Sequence, residues 1–500
     1  MKVVVFSTHI IWPQHYETEL EIMQNHLNEG HEVVQLVCNA SFGICDSNLD
    51  HKMLKCMLCT SRRKKGISLL DGKVRVAEVL DYTDDADRKA AEAVRHNFDS
   101  LDHLQEYHIG QYPIGYAVGS TLVSILRDST LDVSSNNTTL RNLLAHAALS
   151  YAACKKFLER EQPDLVYIFN GRLPNPRAML SACTEAGIPC HIHERGYNWQ
   201  HYEVFKNRLP QDHLFIQELI REAWEQADEP HRSEVGTRFY TERRKGQEQG
   251  WISFVKDQKE GNMPEDWDPG KHNIVIFNSS EDEFISCTDD WKNKLYMSQY
   301  NAIRKICREL EQHPDVRVYL RCHPNLKGAS EAEKKELESM KQERLVFIAP
   351  ESSISTYALL DHASVVLTFN STVGIEATFW DKPSILAGPS LYDQLGSNYI
   401  PTSHEEVMSL LLQRNLQPKG KHGALMYGYF FNSFGKPFRY FQPEHFSGGT
   451  FKGVDLLQPT RAYTLRKDIM DPDPSRLITR LMNRMFFNRI KGFKPNHFQR

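Results

Sequence analysis

One stretch decides the fold of this chain: Val365-Val366-Leu367-Thr368-Phe369-Asn370-Ser371-Thr372-Val373-Gly374-Ile375-Glu376-Ala377. Its apolar start predicts a buried strand, its polar centre predicts a turn, and the pattern from Val373 to Trp380 predicts a helix. Asp381-Lys382-Pro383 ends that helix, and Ser384-Ile385-Leu386 predicts the next strand. A strand, a polar turn and a helix in this order aim backbone N–H groups and the positive end of the helix dipole at one point, which suits a phosphate.

The turn and the first helical turn of this stretch carry candidate ligand groups. Asn370, Ser371 and Thr372 offer side chains that hydrogen-bond a phosphate. Gly374 has no Cβ and therefore lets another group approach closely. Glu376 lies about one turn into the helix, where its carboxylate could meet sugar hydroxyls. The alternative interpretation is an ordinary strand-to-helix turn with a Ser/Thr cap, which is common.

A second predicted strand ends in residues that also suit a phosphate. Val316–Leu320 is rich in apolar residues and is followed by Arg321-Cys322-His323-Pro324. Because Pro324 ends the strand and fixes the turn, Arg321 and His323 should lie at the edge where open parallel sheets bind ligands. A histidine there donates a hydrogen bond to a phosphate oxygen. The alternative is a surface histidine beside a loop proline.

Strand and helix patterns alternate along most of the chain, which predicts an α/β fold with two Rossmann-like domains facing a cleft. The N-terminal, acceptor-side domain is predicted at 1–260, and the C-terminal, nucleotide-binding domain at 272–420. Segment 261–271 is rich in turn formers and is predicted as the linker. Residues 421–500 are predicted as an extension rich in aromatic and basic residues.

Two predicted strands of the N-terminal domain also end in polar side chains. Asn170 and Arg172 follow the apolar run Asp164–Phe169, and Glu194 follows the run Ile188–Ile192. Because the carboxyl ends of parallel strands meet at one edge of a sheet, these three side chains are expected on the same side of the cleft.

Helical patterns dominate the region between the first β-α-β unit and these strands. We predict helices at 87–104, 115–126 and 140–161 from their apolar spacing. The segment 38–66 is predicted as an irregular insert that is basic at its end.

Four of the ten cysteines cluster in this insert, at Cys38, Cys45, Cys56 and Cys59. Thiolates with one Cys-x-x-Cys pair can hold zinc, so the pattern predicts a structural zinc site or, as a weaker alternative, an iron–sulfur cluster. Against a metal, Cys38 ends a strand and is equally well an ordinary core thiol.

Composition bounds the class of protein. The chain has 500 residues, 40% hydrophobic and 25% charged, with a net charge of −4. A globular protein with large cores is expected, and nothing in the overall charge calls for nucleic acid. No run of about 18 apolar residues exists. The N-terminus enters a strand without a signal-peptide layout, which predicts a cytoplasmic protein.

The last part of the chain combines cations with apolar residues at helical spacing. Arg476, Arg480 and Arg484 align at i, i+4 positions, and no acidic residue follows Asp473. A basic amphipathic helix predicts peripheral contact with the inner surface of an anionic membrane. The alternative is a terminal helix docked on the protein with its arginines in solvent.

These motifs resemble those of GT-B glycosyltransferases, and most closely those of bacterial capsule and surface-polysaccharide biosynthesis proteins. That group includes capsule Kdo transferases and is similar to bacterial sialyltransferases and CDP-glycerol polymerases. His323-Pro324 resembles the family's HP motif, and Ser371-Thr372 resembles its paired Ser/Thr motif, both of which contact the phosphate of a cytidine nucleotide. Glu194-Arg195-Gly196 stands where the family has an acidic-acidic-glycine motif containing the general base, but its second residue is arginine.

The resemblance implies transfer of a sugar from a nucleotide-sugar donor, with a CMP-sugar favoured, to a saccharide or lipid-linked acceptor, building a surface or capsular polysaccharide. Glu194 would remove the proton of the acceptor hydroxyl, and Asn170 or Arg172 would position the acceptor or a donor carboxylate. His9, His191 and His193 are weaker substitutes for the base. No Asp-x-Asp motif stands at a strand end, so no catalytic metal or other cofactor is expected.

Two other functions fit the same layout. A nucleotide-sugar epimerase shares the two-domain arrangement and would form product without an acceptor. A non-catalytic scaffold of a polysaccharide assembly complex would keep the fold and lose the base, which Arg195 in the acidic motif permits.

Overall fold

The computed structural model describes residues 1–249, 253–341, 345–445 and 448–458. Its strands are β1 Lys2–Ser7, β2 Glu32–Val37, β3 Val74–Glu78, β4 Leu165–Phe169, β5 Cys190–Arg195, β6 His201–Lys206, β7 His272–Phe277, β8 Val316–Arg321, β9 Leu345–Ile348, β10 Val365–Thr368, β11 Ser384–Leu386, β12 Lys436–Pro437, β13 Phe441–His445 and β14 Gly448–Phe451. Its α-helices are α1 His15–Asn28, α2 Met53–Ile67, α3 Asp85–Ala93, α4 Leu101–Gln105, α5 Ile114–Leu126, α6 Asn137–Glu161, α7 Pro174–Ala186, α8 His213–Glu225, α9 His231–Arg244, α10 Gln299–Leu310, α11 Glu331–Glu338, α12 Thr356–His362, α13 Val373–Phe379, α14 His404–Leu412 and α15 His422–Ser433.

The N-terminal sheet has the strand order β12-β6-β5-β4-β1-β2-β3 among the described residues. Strands β1 to β5 run parallel, whereas β6 is antiparallel to β5 and β12 is antiparallel to β6. The valine-rich strands β1 and β2 are buried along almost their whole length. Burial on both faces is what a parallel sheet covered by helices requires, and it explains their continuous apolar sequence.

The C-terminal sheet is parallel throughout its described strands, in the order β11-β10-β7-β8-β9. Its central strand β7 is buried at every residue. Because β7, β8 and β10 run in the same direction, the residues that follow them meet at one edge. This edge carries Asn278 to Ser280, His323 and Asn370 to Thr372, and it faces the N-terminal sheet across a cleft. The predicted α/β fold with two Rossmann-like sheets is confirmed.

The chain returns to the N-terminal sheet after α14. Helix α15 packs along α9 and α8, and β12 pairs with β6. The β13–β14 hairpin is held by the buried carboxylate of Glu21 on α1, which accepts hydrogen bonds from the backbone N–H groups of Arg439, Tyr440 and Phe441 at 2.8–3.0 Å. Three N–H groups are thereby satisfied away from water, which fixes this segment to α1.

Two kinds of contact join the halves. Apolar residues of the bridging helices α8, α9 and α15 share one core with Ile375, Phe379 and Tyr392 of the C-terminal half. Polar contacts include Ser129, whose N–H and hydroxyl donate to the buried carboxylate of Glu333 at 2.9 and 2.6 Å. The cleft between the sheets is thus bounded by protein that belongs to both halves.

The structure corrects several secondary-structure predictions. Segment 38–66 is not wholly irregular, because it contains most of α2, a 15-residue helix. The helix predicted at 87–104 is two helices, α3 and α4. Strands β3 and β6 were not predicted. The domain boundaries at 260, 272 and 420 stay predictions, although residues 421–458 pack on the N-terminal half.

In the part of the chain that the structure describes, no helix combines the length and apolarity needed to cross a lipid bilayer. The basic amphipathic helix predicted around Arg476, Arg480 and Arg484 lies outside the described residues. Its contact with a membrane surface therefore stays a prediction.

The crossing of α9 and α15 should not tolerate a side chain at Gly428. A Cβ added there would lie 2.4 Å from the carbonyl oxygen of Gly236 and 2.9 Å from the ring of Tyr240. We expect Gly428→Ala to lower the free energy of unfolding by about 1–3 kcal/mol, since the helices would have to separate. Urea denaturation measures this. Gly420→Ala is the control, because its Cβ meets nothing within 4 Å, and equal stability of both variants would contradict the packing argument.

Candidate functional site

A cleft of about 500 Å³ lies between the two sheets and is lined by residues of both. It brings together most of the site residues that the sequence predicts. From the N-terminal half these are Asn170, Arg172 and Glu194, and from the C-terminal half Arg321, His323, Pro324, Asn370, Ser371, Thr372 and Glu376. These residues are up to about 200 positions apart in the sequence, and the two sheet edges bring them to the wall of one cavity.

Glu194 is held at the end of β5 with its carboxylate in the cleft. Its Oε2 accepts a hydrogen bond from Asn170 Nδ2 at 2.7 Å, and its Oε1 accepts one from the backbone N–H of Arg195 at 3.0 Å. Asn170 follows the parallel neighbour β4 and has a left-handed backbone, with φ of 59°. These two donors stabilise the ionised carboxylate and fix its orientation.

His15, near the start of α1, lies beside this carboxylate. Its Nδ1 is 3.6 Å from Glu194 Oε1. Burial and the nearby charge of Arg195 hold the pKa of His15 well below its ordinary value, so the imidazole is neutral near pH 7. Its ring packs against Phe169, with 4.0 Å between ring centroids. The Glu194 side chain is about one-fifth exposed.

Arg172 is one of the cations on the N-terminal wall of the cleft, which Arg195 also lines. Its Nη1 donates to the hydroxyls of Ser120 and Ser124 on α5 at 2.6 and 2.9 Å. No carboxylate partner is found for it among the described ion pairs. A cation anchored by neutral hydroxyls keeps its charge available to an anionic group in the cleft.

His323 opens the turn that Pro324 begins, at the end of β8. Its ring Nδ1 accepts a hydrogen bond from the backbone N–H of Asn325 at 3.2 Å. The backbone N–H of His323 donates to Asn278 Oδ1 at 2.7 Å. Burial, together with Arg321, lowers the pKa of His323 to about 4. A neutral ring whose Nδ1 accepts must carry its proton on Nε2, which makes Nε2 a hydrogen-bond donor at pH 7.

Arg321 is the last residue of β8 and is 2% exposed. It donates to the carbonyls of Ala349 and Ser352 at 2.6 and 3.2 Å. Burial lowers its pKa to about 10, so the guanidinium is charged at pH 7. Its two hydrogen-bond acceptors are neutral carbonyls, and the nearby carboxylate of Glu351 offsets part of the positive potential that Arg321 contributes to this side of the cleft.

The turn after β10 presents the predicted hydroxyls. Asn370 donates its N–H to Ser279 Oγ at 3.2 Å, which links this turn to the end of β7. Ser371 Oγ faces the N–H of Val373, and Thr372 Oγ1 accepts from Arg243 Nη2 at 3.3 Å. The following helix α13 has only seven residues, so side chains rather than a long helix dipole supply most of the donors here.

Glu376 is buried among protein partners. Its Oε1 pairs with Arg243 Nε at 3.2 Å, and its Oε2 accepts from the hydroxyl of Tyr357 at 2.6 Å. Both carboxylate oxygens are therefore engaged within the protein. Its predicted contact with sugar hydroxyls stays a prediction, and the structure shows that the carboxylate joins α13 to α9.

Gly374 does not line the cleft among the described residues. A Cβ at this position would lie 2.5 Å from Thr368 Oγ1 and 2.5 Å from the hydroxyl of Tyr392. Thr368 and Tyr392 therefore approach this glycine closely, and its predicted contact with a ligand stays a prediction.

The three histidines predicted as substitutes for the base do not line the cleft among the described residues. His9 is buried and contacts Asp46 Oδ2 through Nε2 at 3.2 Å. His193 is fully buried 3.7 Å from Glu19, and His191 packs edge-on against Tyr167. Their positions leave Glu194 as the predicted base that reaches the cavity.

Two functional candidates were missed by sequence reasoning. Arg243 on α9 reaches the cleft and contacts both Glu376 and Thr372. Glu203 on β6 lies directly opposite Glu194 in the antiparallel register, and burial raises its pKa to about 8. Arg243 lies in a helix with many charged residues, so nothing in the sequence distinguishes it from its neighbours. Glu203 could have been found if β6 had been recognised as the antiparallel partner of β5.

The four predicted metal-binding cysteines lie in one region at and after the end of β2. All are free and half-buried, and Cys56 and Cys59 stand on α2. Burial raises the pKa of Cys38 and Cys45 and raises that of Cys59 to about 12. Among the described residues their sulfurs do not form a group with all ligand atoms within 4.8 Å of one another. Structural zinc at these cysteines stays a prediction.

Residues 292–406, which include β8, His323 and the Ser371–Thr372 turn, match the sequence family described as capsule polysaccharide biosynthesis protein. A curated relative is the capsule polysaccharide export protein KpsS of Escherichia coli, 28% identical over 136 residues. The match covers 26% of this chain and 33% of that protein, so it spans about a third of the relative's length. The predicted resemblance to capsule biosynthesis proteins is confirmed for this segment.

Solved structures with a related arrangement include the KpsC β-Kdo 2,4-transferase of Thermosulfurimonas dismutans. It is 15% identical, with a TM-score of 0.38, over 54% of this chain and 79% of that one. The UDP-GlcNAc 2-epimerase of Neisseria meningitidis bound to UDP-GlcNAc is 11% identical, with a TM-score of 0.25, over 85% and 98%.

The buried carboxyl of Glu203 should make stability depend on pH. Its pKa is raised on folding, so its stabilising contribution is present below the pKa of the unfolded chain and is lost as pH rises from about 4.5 to about 8. Glu203→Gln should therefore gain stability relative to the wild type over this range, by up to about 1.4 kcal/mol per pH unit.

Urea denaturation at pH 5, 6, 7 and 8 measures this difference. Glu281, whose pKa burial also raises to about 8, is present in both proteins and cancels in the comparison. Glu225→Gln on the exposed face of α8 is the control and should give a constant difference. A constant difference for Glu203→Gln as well would show that this carboxyl titrates normally.

Proposed function

We propose that this protein is a glycosyltransferase that moves a sugar from a nucleotide-sugar donor to a saccharide or lipid-linked acceptor. The observation that carries the proposal is the shared cleft. Groups suited to a phosphate lie at the edge of the C-terminal sheet, and the carboxylate of Glu194, held by Asn170, lies at the facing edge of the N-terminal sheet. Sugar transfer needs hydrogen-bond donors for the leaving phosphate and a base for the acceptor hydroxyl. The C-terminal wall supplies the hydrogen-bond donors and the N-terminal wall supplies the base.

On the donor side, the neutral imidazole of His323 offers Nε2–H to a phosphate oxygen. Ser371 and Thr372 add hydroxyls, and the buried cation Arg321 adds a positive potential. These groups are anchored by backbone and carbonyl contacts before any ligand binds. Donors already in place meet the charge that grows on the departing phosphate without further reorganisation.

On the acceptor side, Glu194 takes the proton of the attacking hydroxyl. Asn170 and the N–H of Arg195 hold its carboxylate toward the cavity, and neutral His15 adds no competing positive charge beside it. Arg172 binds an anionic group of the acceptor or donor. A donor with a carboxylate, as in CMP-linked sugar acids, suits this cation and the resemblance of His323-Pro324 to a cytidine-nucleotide motif.

The proposed pathway is capsule or surface-polysaccharide synthesis, on the support of the family match at 292–406. The proposal places the reaction in the cytoplasm, where nucleotide sugars are made, without a catalytic metal. A peripheral contact with the inner membrane surface would bring a lipid-linked acceptor to the cleft.

Nucleotide binding should depend on His323. We expect CMP to bind more tightly than UMP, GDP or ADP, and His323→Ala to weaken CMP about 10- to 150-fold, since a hydrogen bond to a charged group is worth about 1.5–3 kcal/mol. Titration calorimetry measures this. Cytidine serves as the matched ligand control because it lacks the phosphate, so its affinity should not change. Equal losses for CMP and cytidine would place His323 away from the phosphate.

Glu194 should be required for turnover but not for donor binding. We expect Glu194→Gln to reduce sugar transfer from a CMP-linked sugar acid about 10²- to 10⁴-fold while CMP affinity stays within about twofold. CMP release with and without a lipid-linked acceptor, followed by chromatography of the product, measures the step. Full activity of the variant would remove Glu194 as the base. Product without any acceptor would favour the epimerase, and no consumption of any donor would favour the scaffold.

A further inference from the structure

The end of α1 and the turn into β2 bring together three side chains of the types that bind metals. Of the residues described in the cleft, only His15 lies near them in the sequence, because it is also on α1. His26 Nδ1 lies 3.0 Å from His31 Nδ1 and 3.5 Å from Glu29 Oε2, and His31 Nδ1 lies 3.3 Å from the same oxygen. Among the described residues, this is the group of three whose ligand atoms all lie within 4.8 Å of one another.

The three separations have the size that one metal ion imposes. Nitrogen and oxygen ligands 2.0–2.1 Å from a tetrahedral zinc ion lie about 3.3–3.4 Å from one another. The observed triangle, with edges of 3.0, 3.3 and 3.5 Å, therefore already has the dimensions of one face of that tetrahedron. Gly30, with φ of 75°, makes the tight turn that folds His31 back onto the helix end.

The outer nitrogen of His26 is also supported. Its Nε2 lies 3.2 Å from the hydroxyl of Tyr167 on β4. When Nδ1 binds a metal, Nε2 carries the proton and donates it to such an oxygen, which fixes the ring orientation. The His26 side chain is 13% exposed.

We propose that His26, Glu29 and His31 form a zinc site with two imidazole ligands, one carboxylate ligand and a fourth position filled by water. His26 and Glu29 line a second cavity, of about 420 Å³, together with Tyr167 and Tyr202. The fourth position opens toward solvent in this region. Zinc would tie the end of α1 to the start of β2, and it would do so outside the interdomain cleft.

The alternative is a hydrogen bond between the two Nδ1 atoms with one shared proton. Both arrangements use the same atoms, but they respond differently to zinc. When zinc binds both Nδ1 atoms, the proton between them moves to an Nε2 atom and the Nδ1–Nδ1 hydrogen bond is lost. The cations Lys436 and Arg439, which line the same cavity, oppose a further positive charge, and Glu29 is therefore needed to balance the ion.

The test is calorimetric titration of ZnCl₂ into the full chain, freed of metal with EDTA and kept reduced with a phosphine. The background is Cys56→Ser/Cys59→Ser, so that the Cys-x-x-Cys pair does not bind the zinc. We expect one zinc per chain. His31→Ala should weaken zinc more than about 100-fold, beyond the loss that outer contacts usually cause.

Glu29→Gln is the second variant, because its side chain is 60% exposed and the change keeps the shape. It should weaken zinc at least tenfold. His96→Ala, an exposed histidine on the surface, is the control and should bind zinc like its parent. Absence of zinc binding in the Cys56→Ser/Cys59→Ser background, or equal affinity in the parent, His31→Ala and Glu29→Gln proteins, would overturn the site. Neither result depends on the transferase proposal, since no nucleotide or turnover is measured.

Discussion

The cleft depends on the ion pair and the hydrogen bond that the buried carboxylate of Glu376 makes. Glu376 belongs to α13 of the C-terminal half, and it binds Arg243 of α9 and the hydroxyl of Tyr357. Arg243 in turn contacts Thr372 in the turn that faces the proposed donor. A carboxylate and a guanidinium taken out of water are stable only when paired and hydrogen-bonded, so this group fixes the spacing between the bridging helix α9 and the Ser371–Thr372 turn.

Much of the fold follows from the sequence because buried parallel strands leave a strong signal. β8 covers the apolar run Val316–Leu320 and ends one residue later, at Arg321, and β10 begins with the apolar run Val365-Val366-Leu367. The failures have physical causes. β6 carries the polar sequence His201–Lys206 because it is a near-edge strand, and α2 has a basic, cysteine-bearing surface that obscures helical periodicity.

The candidate site was predictable only in part, for a related reason. Strand ends are visible in sequence, so Glu194, His323 and the Ser371–Thr372 turn could be assigned to sheet edges that meet. Partners that come from helices are not visible in this way. Nothing local marks Arg243 or His15, since their roles arise from how α9 and α1 pack. At Gly374 the side chains in close approach are those of Thr368 and Tyr392, which the sequence around the glycine does not reveal.

The two kinds of interdomain contact differ in character. The apolar core between the halves contains residues of α8, α9 and α15 together with Phe379. It buries large aromatic rings, including the stacked rings of Tyr240 and Phe379, whose centroids are 4.1 Å apart. The contact of Ser129 with Glu333 consists of hydrogen bonds that water can replace. Breaking the polar contact therefore costs less free energy than separating the aromatic core, so in any opening of the cleft the core is the pivot and the polar contact is the latch.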